Sequence, residues 1–181
     1  TKLCKSFHSG FVGARGSVPQ GVSQFMSLYR NTRDLLRSAD LRPRKRLGQS
    51  FLVDEGVLDT IIKAAELSPD DVVLEIGAGT GVLTKLLALS SGRTITVELD
   101  EGLFRILQSA CQDIDNVTLI HADILDLDFS ALAGKIVQPL KIVTNLPYYI
   151  TTPVLMKIMD ESVDLPIRMV LVMVQEEVGM R

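Results

Sequence analysis

The chain has 181 residues, of which 46% are hydrophobic, enough for one domain with a substantial core. No run of about 18 uncharged apolar residues occurs, so no membrane-spanning helix is expected. Residues 1–50 contain ten basic and two acidic residues, whereas residues 51–181 contain nine basic and twenty acidic residues. This asymmetry predicts a basic arm that contacts a polyanion such as nucleic acid, with a solvated basic tail as the alternative.

The two cysteines lie far apart from each other in the sequence, as do the two histidines. Their spacing matches neither a metal site nor a catalytic triad, so we expect no metal. The cysteine usage is typical of a reducing, cytoplasmic compartment, and we place Cys111 in the core.

Residues 1–25 are rich in serine, glycine and basic residues, and no acidic residue precedes Asp34. This composition predicts disorder, although it also resembles a transit peptide with a poor amphipathic pattern. We expect the structure to begin near Met26. Residues 26–53 are interpreted as a basic N-terminal helix and arm, and residues 54–181 as the main domain.

A cluster of positive charge follows the first predicted helix, which covers residues 26–39. Four cations occur within five residues, and they predict a phosphate-binding surface: Arg42, Arg44, Lys45 and Arg46. The next apolar residues have helical spacing, from an N-cap at Asp54 to a stop at Ser68-Pro69.

The stretch from Val72 to Gly81 joins a buried strand to a glycine-rich bend. Gly77, Gly79 and Gly81 allow a sharp turn and let a ligand approach the main chain. The spacing E-x-G-x-G-x-G differs from the dinucleotide pattern G-x-G-x-x-G and resembles motif I of S-adenosylmethionine-dependent methyltransferases. A nicotinamide site and a ligand-free turn remain open alternatives on the glycines alone.

From Asp71 onward the pattern alternates between strands and helices, which predicts an α/β fold with a mainly parallel sheet covered on both faces. The predicted strands are 72–76, 94–98, 117–121, 141–145 and 169–174. The predicted helices are 81–89, 101–112, 129–133 and 152–160. Ligands bind such sheets at the carboxyl ends of the strands.

Two strands end in acidic residues. Glu98 ends the second strand and is placed to accept hydrogen bonds from a ribose diol, with a plain surface acid as the alternative. Asp123 follows the third strand, where its carboxylate is placed to bind the amino group of an adenine, with Ile124 packed on the ring. His121 is interpreted as a core or edge histidine rather than a catalytic base.

The fourth strand ends in an Asn-Leu-Pro-Tyr corner. The Asn145 side chain and the Leu146 carbonyl offer two acceptors for one exocyclic amine. Pro147 fixes the turn, and Tyr148 presents an aromatic face on which a base can stack. The structural alternative is a rigid turn with a core tyrosine.

Together these motifs resemble the ribosomal RNA adenine dimethyltransferase family over residues 42–181. The resemblance is carried by the segments 44–52, 75–81, 97–100, 122–123 and 145–153. It implies a Rossmann-like methyltransferase fold and S-adenosylmethionine as the cofactor. The implied cofactor contacts are Ser50, Leu52, Gly77, Glu98, Asp123 and Asn145. Ser50 departs from the Asn or His usual in the family, which implies a weaker hold on the carboxylate end of the cofactor.

The resemblance also implies the partner, which is ribosomal RNA of the small subunit in a pre-30S particle, bound by a monomer in the cytoplasm. The final strands and the C-terminal helical domain of the family are lacking, so the chain looks truncated. Three alternatives stay open: a large-subunit methyltransferase that confers macrolide resistance, a non-catalytic RNA-binding factor, and a nicotinamide dehydrogenase.

Overall fold

The computed structural model describes residues 55–129, 136, 138–146, 148–161 and 165–173. Helices and strands alternate along these residues, as the sequence pattern predicts. In chain order they are α1 (Glu55–Ala65), β1 (Val72–Ile76), α2 (Val82–Ser90), β2 (Arg93–Glu98), α3 (Glu101–Cys111), β3 (Val117–His121), β4 (Leu140–Asn145), α4 (Tyr148–Glu161) and β5 (Ile167–Met173).

The strands form one parallel sheet in the order β3-β2-β1-β4-β5. The chain moves outward from β1 to β3, returns to the other side of β1 with β4, and then continues to β5. The direction of winding therefore reverses between β1 and β4. In open α/β sheets, ligands bind at the carboxyl ends of the strands beside such a reversal.

Alternating residues of the central strands face two separate layers of core. On one face, Val73 packs in a cluster with Leu58 of α1 and Leu87 of α2. On the other face, Leu74 packs in a cluster with Val154 of α4. Helices therefore cover both faces, and the predicted fold class is confirmed.

A buried ion pair lies at the amino ends of the parallel strands, which we call the amino edge of the sheet; the carboxyl ends form the carboxyl edge. Asp71 Oδ2 lies 3.0 Å from Lys141 Nζ and accepts hydrogen bonds from the amide and hydroxyl of Ser68 at 2.7 and 3.0 Å. Lys141 also donates to the carbonyl of Glu66. Burial alone would raise the pKa of Asp71, but the bonds to Lys141 and Ser68 hold it below its ordinary value. These contacts join the end of α1 to β1 and β4.

The predicted strands agree with the structure to within two residues at each end. The largest difference concerns α4, which begins at Tyr148 although the sequence predicts a start at Thr152. Pro153 lies inside this helix, and a proline usually marks the first turn, so the pattern favoured a later start. Most of the helix predicted at 129–133, the arm at 26–53 and the disorder at 1–25 lie outside the described residues.

Candidate functional site at the carboxyl edge of the sheet

The bend after β1 is built from three glycines in left-handed conformations. Gly77, Gly79 and Gly81 have φ angles of 81°, 58° and 80°, which residues with a Cβ adopt at a cost. The amide of Gly77 donates to the carbonyl of Val97 at 2.9 Å. The start of the bend is therefore hydrogen-bonded to the end of β2.

Glu98 closes the open side of this bend. Its side chain is buried, Oε2 accepts the Gly79 amide at 2.7 Å, and Oε1 accepts the Asp100 amide at 2.9 Å. A carboxylate has about four acceptor sites, so each oxygen retains capacity for another donor. The carboxylate is thus fixed beside the glycines and can still bind hydroxyl groups of a ligand.

A second carboxyl group lies beneath the bend. Glu75 is fully buried in β1, and its Oε2 accepts hydroxyl hydrogen bonds from Thr84 of α2 and Thr96 of β2, both at 2.6 Å. Burial raises the pKa of Glu75 to about 7, the two threonines oppose the rise, and the negative charge of Glu98 adds to it. Glu75 therefore ties three elements together below the bend and is shielded from any ligand above it.

The corner after β4 packs directly on the glycine bend. A Cβ built on Gly77 would lie 3.3 Å from Leu146 Cδ2 and 3.6 Å from the carbonyl oxygen of Asn145. One residue earlier, the buried Thr144 hydroxyl donates to the carbonyl of Ile76 at 3.2 Å. β1 and β4 are neighbours in the sheet, so the glycine bend and the corner after β4 lie against each other.

The adenine-binding prediction is corrected in part. Asp123 is partly buried, and its Oδ1 accepts the amide of Leu125 at 2.9 Å, which fixes the carboxylate at the edge. Ile124 is 4% exposed and packs in the core with Phe129, so the expected stacking of Ile124 on a ligand ring is wrong. The exposed apolar side chain beside Glu98 is Leu99, at 57%, which the sequence pattern did not single out.

The remaining predicted residues differ in how far the structure describes them. α4 begins at Tyr148, but the structure does not describe the side chain of Tyr148, and Pro147 lies outside the described residues. Outside them too are two predicted cofactor contacts and four predicted phosphate contacts: Ser50, Leu52, Arg42, Arg44, Lys45 and Arg46. Cys111 is buried as expected, and burial raises the pKa of its thiol to about 11.

The chemistry of this edge is rich in acceptors. Glu98, Asp100 and Asp123 all end or follow strands here, which favours a ligand that presents hydroxyl, amine or cationic groups. Within the described ranges, no three His, Cys, Asp or Glu side chains are grouped as metal ligands. Among the same residues, no helix combines the length and apolar character needed to cross a bilayer.

Comparison with known proteins points to one family. The model of the ribosomal RNA adenine dimethylase family matches residues 41–181. The ribosomal RNA small subunit methyltransferase A of Clostridium acetobutylicum is 42% identical over 151 residues, which cover 83% of this chain and 54% of that protein.

Two solved structures have the same arrangement of elements. The 23S rRNA methyltransferase ErmE superposes with a TM-score of 0.61 at 28% identity, over 71% of this chain and 49% of its own. A dimethyladenosine transferase from Plasmodium falciparum gives 0.59 at 28% identity, over 71% of this chain and 44% of its own. The chain spans about half the length of the curated relatives that it matches.

Proposed function

The chain belongs to the ribosomal RNA adenine dimethylase family, and we propose that it transfers methyl groups from S-adenosylmethionine to N6 of adenines in small-subunit ribosomal RNA. Its fold is the Rossmann-like fold of S-adenosylmethionine-dependent methyltransferases. The observation that supports the proposal is the close approach of Leu146 and Asn145 to Gly77, because it brings the corner that we assign to the target amine beside the bend that we assign to the cofactor.

When bound, S-adenosylmethionine supplies a methyl group on a positively charged sulfur. We assign its ribose to Glu98 and its adenine to Asp123, with the main chain of Gly77 and Gly79 beside its amino-acid portion. Ser50, Leu52 and the main chain of Asn145 complete the proposed contacts. An edge rich in carboxylates suits this cation with two ribose hydroxyls better than it suits the pyrophosphate of a dinucleotide.

The target adenine must leave its stack to reach this edge, at a cost of a few kcal/mol that is lowest in unpaired RNA. We assign its N6 amine to the Asn145 side chain and the Leu146 carbonyl, which point the nitrogen lone pair at the methyl group. Pro147 fixes the corner and Tyr148 stacks on the base. Catalysis then consists mainly of alignment, since the leaving group is already good.

The basic arm is assigned to the RNA backbone. Arg42, Arg44, Lys45 and Arg46 would bind phosphates and position the RNA without reading its sequence. We place the reaction in the cytoplasm, on a pre-30S particle, with a monomeric enzyme that needs no metal. The curated relatives named small subunit methyltransferase A, at up to 42% identity, support this choice of subunit.

The second candidate is methylation of large-subunit ribosomal RNA. The similarity to ErmE favours it, because that structure and the Plasmodium falciparum dimethyladenosine transferase match the chain at the same identity. A non-catalytic RNA-binding role is the third reading of the same fold.

One experiment separates the three. Tritiated methyl transfer from S-adenosylmethionine is measured with the full-length protein on undermethylated 30S and 50S particles. We expect label on 30S particles alone, in dimethyladenosine. Label on 50S particles alone would establish the second candidate, and binding of 30S particles without any label would establish the third.

A further inference from the structure

One peptide unit at the cofactor edge is hydrogen-bonded on both sides. The carbonyl of Leu99 lies 3.1 Å from Nε2 of His121, and the amide of Asp100 in the same peptide donates to Glu98 Oε1 at 2.9 Å. In a trans peptide the C=O and N–H groups point in opposite directions. The peptide therefore connects the imidazole on one side with the carboxylate on the other.

The roles in this chain of bonds are fixed by chemistry. A backbone carbonyl only accepts hydrogen bonds, so Nε2 of His121 carries a hydrogen and donates a hydrogen bond to the carbonyl of Leu99. Bonds in series polarise each other, so a donor on the carbonyl makes the amide of the same peptide a better donor. His121 thus strengthens the bond that Asp100 makes to Glu98.

The orientation of the imidazole is set from two directions. Its ring stacks on Phe104 of α3, with a centroid distance of 4.8 Å and an interplanar angle of 21°. Its backbone is paired with Glu98 in the register of β2 and β3, and the next amide, of Ala122, donates to the Glu98 carbonyl at 3.2 Å. The exposed position of His121 is therefore a fixed one.

We propose that His121 is a positioning residue for the ribose site. It acts through the Leu99–Asp100 peptide to hold Oε1 of Glu98, while the Gly79 amide holds Oε2. The inference rests on the proposed function, since it presumes that Glu98 binds the ribose hydroxyls. In this role His121 acts on Glu98 and needs no contact of its own with the cofactor.

The test is a double-mutant cycle with the full-length protein. His121→Phe keeps an aromatic ring against Phe104 and removes the donor, whereas His121→Gln supplies a donor without the ring. Glu98→Ala removes the carboxylate. Dissociation constants for S-adenosylhomocysteine and for 5′-methylthioadenosine, which has the ribose but no amino-acid chain, are measured by calorimetry, and folding is checked by thermal unfolding.

We expect His121→Phe to weaken both ligands about 2- to 3-fold, a part of the worth of one hydrogen bond, because the Asp100–Glu98 bond is weakened rather than lost, and we expect His121→Gln to recover most of the loss. In the Glu98→Ala background, His121→Phe should change neither affinity, because its route to the ligand is gone. Phe104→Leu keeps the donor but removes the stacked ring, so it should weaken both ligands by less than His121→Phe does.

Equal losses from His121→Phe in both backgrounds would overturn the inference, because they would mark a general structural role. So would unchanged affinity in the single variant, and in that case Glu98 would keep its own role in the proposed function. If Glu98→Ala itself left both affinities unchanged, the ribose assignment and the inference would fail together.

Discussion

The two edges of the sheet each hold a buried carboxylate, and the two carboxylates are bonded differently. At the amino edge, one oxygen of Asp71 takes three donors, including the charged amine of Lys141. At the carboxyl edge, each oxygen of Glu98 takes one backbone amide, and among the described residues Glu98 has no cationic partner.

The different hydrogen bonding of Asp71 and Glu98 indicates that Asp71 stabilises the fold, whereas Glu98 is available to bind a ligand. The charge of Asp71 is paired with that of Lys141, and its bonds join neighbouring elements, so its contribution is to stability. Glu98 is fixed in position and able to accept more hydrogen bonds. Changes at the amino edge should therefore alter the free energy of unfolding, and changes at the carboxyl edge should alter binding or transfer.

The largest effect is expected at Asn145. Asn145→Ala removes the side chain that we assign to the target amine, and we expect transfer to fall about 10³-fold, the upper range for loss of one positioned hydrogen-bonding group in an active site. Binding of S-adenosylhomocysteine should stay within about threefold, since the cofactor bend is unchanged. Methyl transfer and calorimetry on one preparation measure both.

The matched control lies at the opposite edge. Asn116 donates to the carbonyls of Ala88 and Ser91 at 2.7 and 3.1 Å and caps the end of α2. Asn116→Ala should cost about 1–2 kcal/mol of unfolding free energy and leave turnover unchanged. Turnover near the wild-type rate in Asn145→Ala would contradict the catalytic role of the corner.

The next largest effect is expected for the buried ion pair. Lys141→Met leaves Asp71 buried without its cation, which typically costs about 3–5 kcal/mol of unfolding free energy. Urea denaturation measures the loss. Cofactor affinity should be unchanged under conditions where the variant is folded, because the amino edge is far from the bend along the strands.

The control for this prediction is an exposed pair. Lys63 and Asp59 lie 2.5 Å apart on α1, with side chains 74% and 54% exposed. Lys63→Met should cost no more than about 0.5 kcal/mol, since solvent screens such pairs. If Lys141→Met lost as little unfolding free energy as Lys63→Met, the buried ion pair at the amino edge would not be important for stability.

Substitutions of one glycine at each edge should give smaller effects on stability and cofactor affinity. Gly77→Ala places a Cβ on a left-handed residue, at about 1–2 kcal/mol, and pushes it against Leu146. We expect a loss of cofactor affinity of about tenfold besides the loss of stability. Gly92→Ala at the amino edge would meet the Pro69 carbonyl oxygen at 2.1 Å.

Backbone must shift to relieve that clash, so Gly92→Ala should cost stability, in the range of about 1–3 kcal/mol for overpacking, without changing affinity. Thermal unfolding and calorimetry compare the two variants. Equal affinity losses in both would mean that the bend is sensitive to any strain in the domain, and the distinction between the edges would be lost.

The sequence predicted the main parts of this site because they depend on local patterns. Apolar runs marked the strands, and a polar residue after each run placed Glu98, Asp123 and Asn145 at one edge. What it missed depends on contacts across strands. The bond from His121 to the Leu99 carbonyl requires the β2–β3 register, which no local pattern contains.

The error at Ile124 has a similar cause. Its position after Asp123 fits a ligand contact, but the chain turns inward there and buries the side chain in the core cluster that includes Phe129. A strand end fixes where the backbone leaves the sheet, and the following turn decides which side chain faces out. Leu99 and Leu125 are apolar side chains that remain exposed, at 57% and 37%, and their neighbours in sequence do not reveal that.

The smallest predicted effect concerns Glu75, the buried carboxyl group beneath the glycine bend. The folded pKa of Glu75, about 7, lies above the ordinary value of about 4.3, so the folded state keeps a proton that the unfolded chain releases. Its contribution to stability is therefore complete below about pH 4 and is lost as the pH rises through 7. Glu75→Gln cannot titrate, and its carbonyl oxygen can still accept from Thr84 and Thr96.

We expect the free energy of unfolding of the wild type, relative to Glu75→Gln, to fall by about 1–3 kcal/mol between pH 5 and pH 8. Urea denaturation at the two pH values measures the difference, and Glu101→Gln, at an exposed pair with Arg105, should show no such change. A wild type that gains stability over this interval relative to Glu75→Gln would mean that Glu75 is ionised in the folded protein. β1, α2 and β2 would then be joined through a buried charge rather than a neutral hydrogen-bonded group.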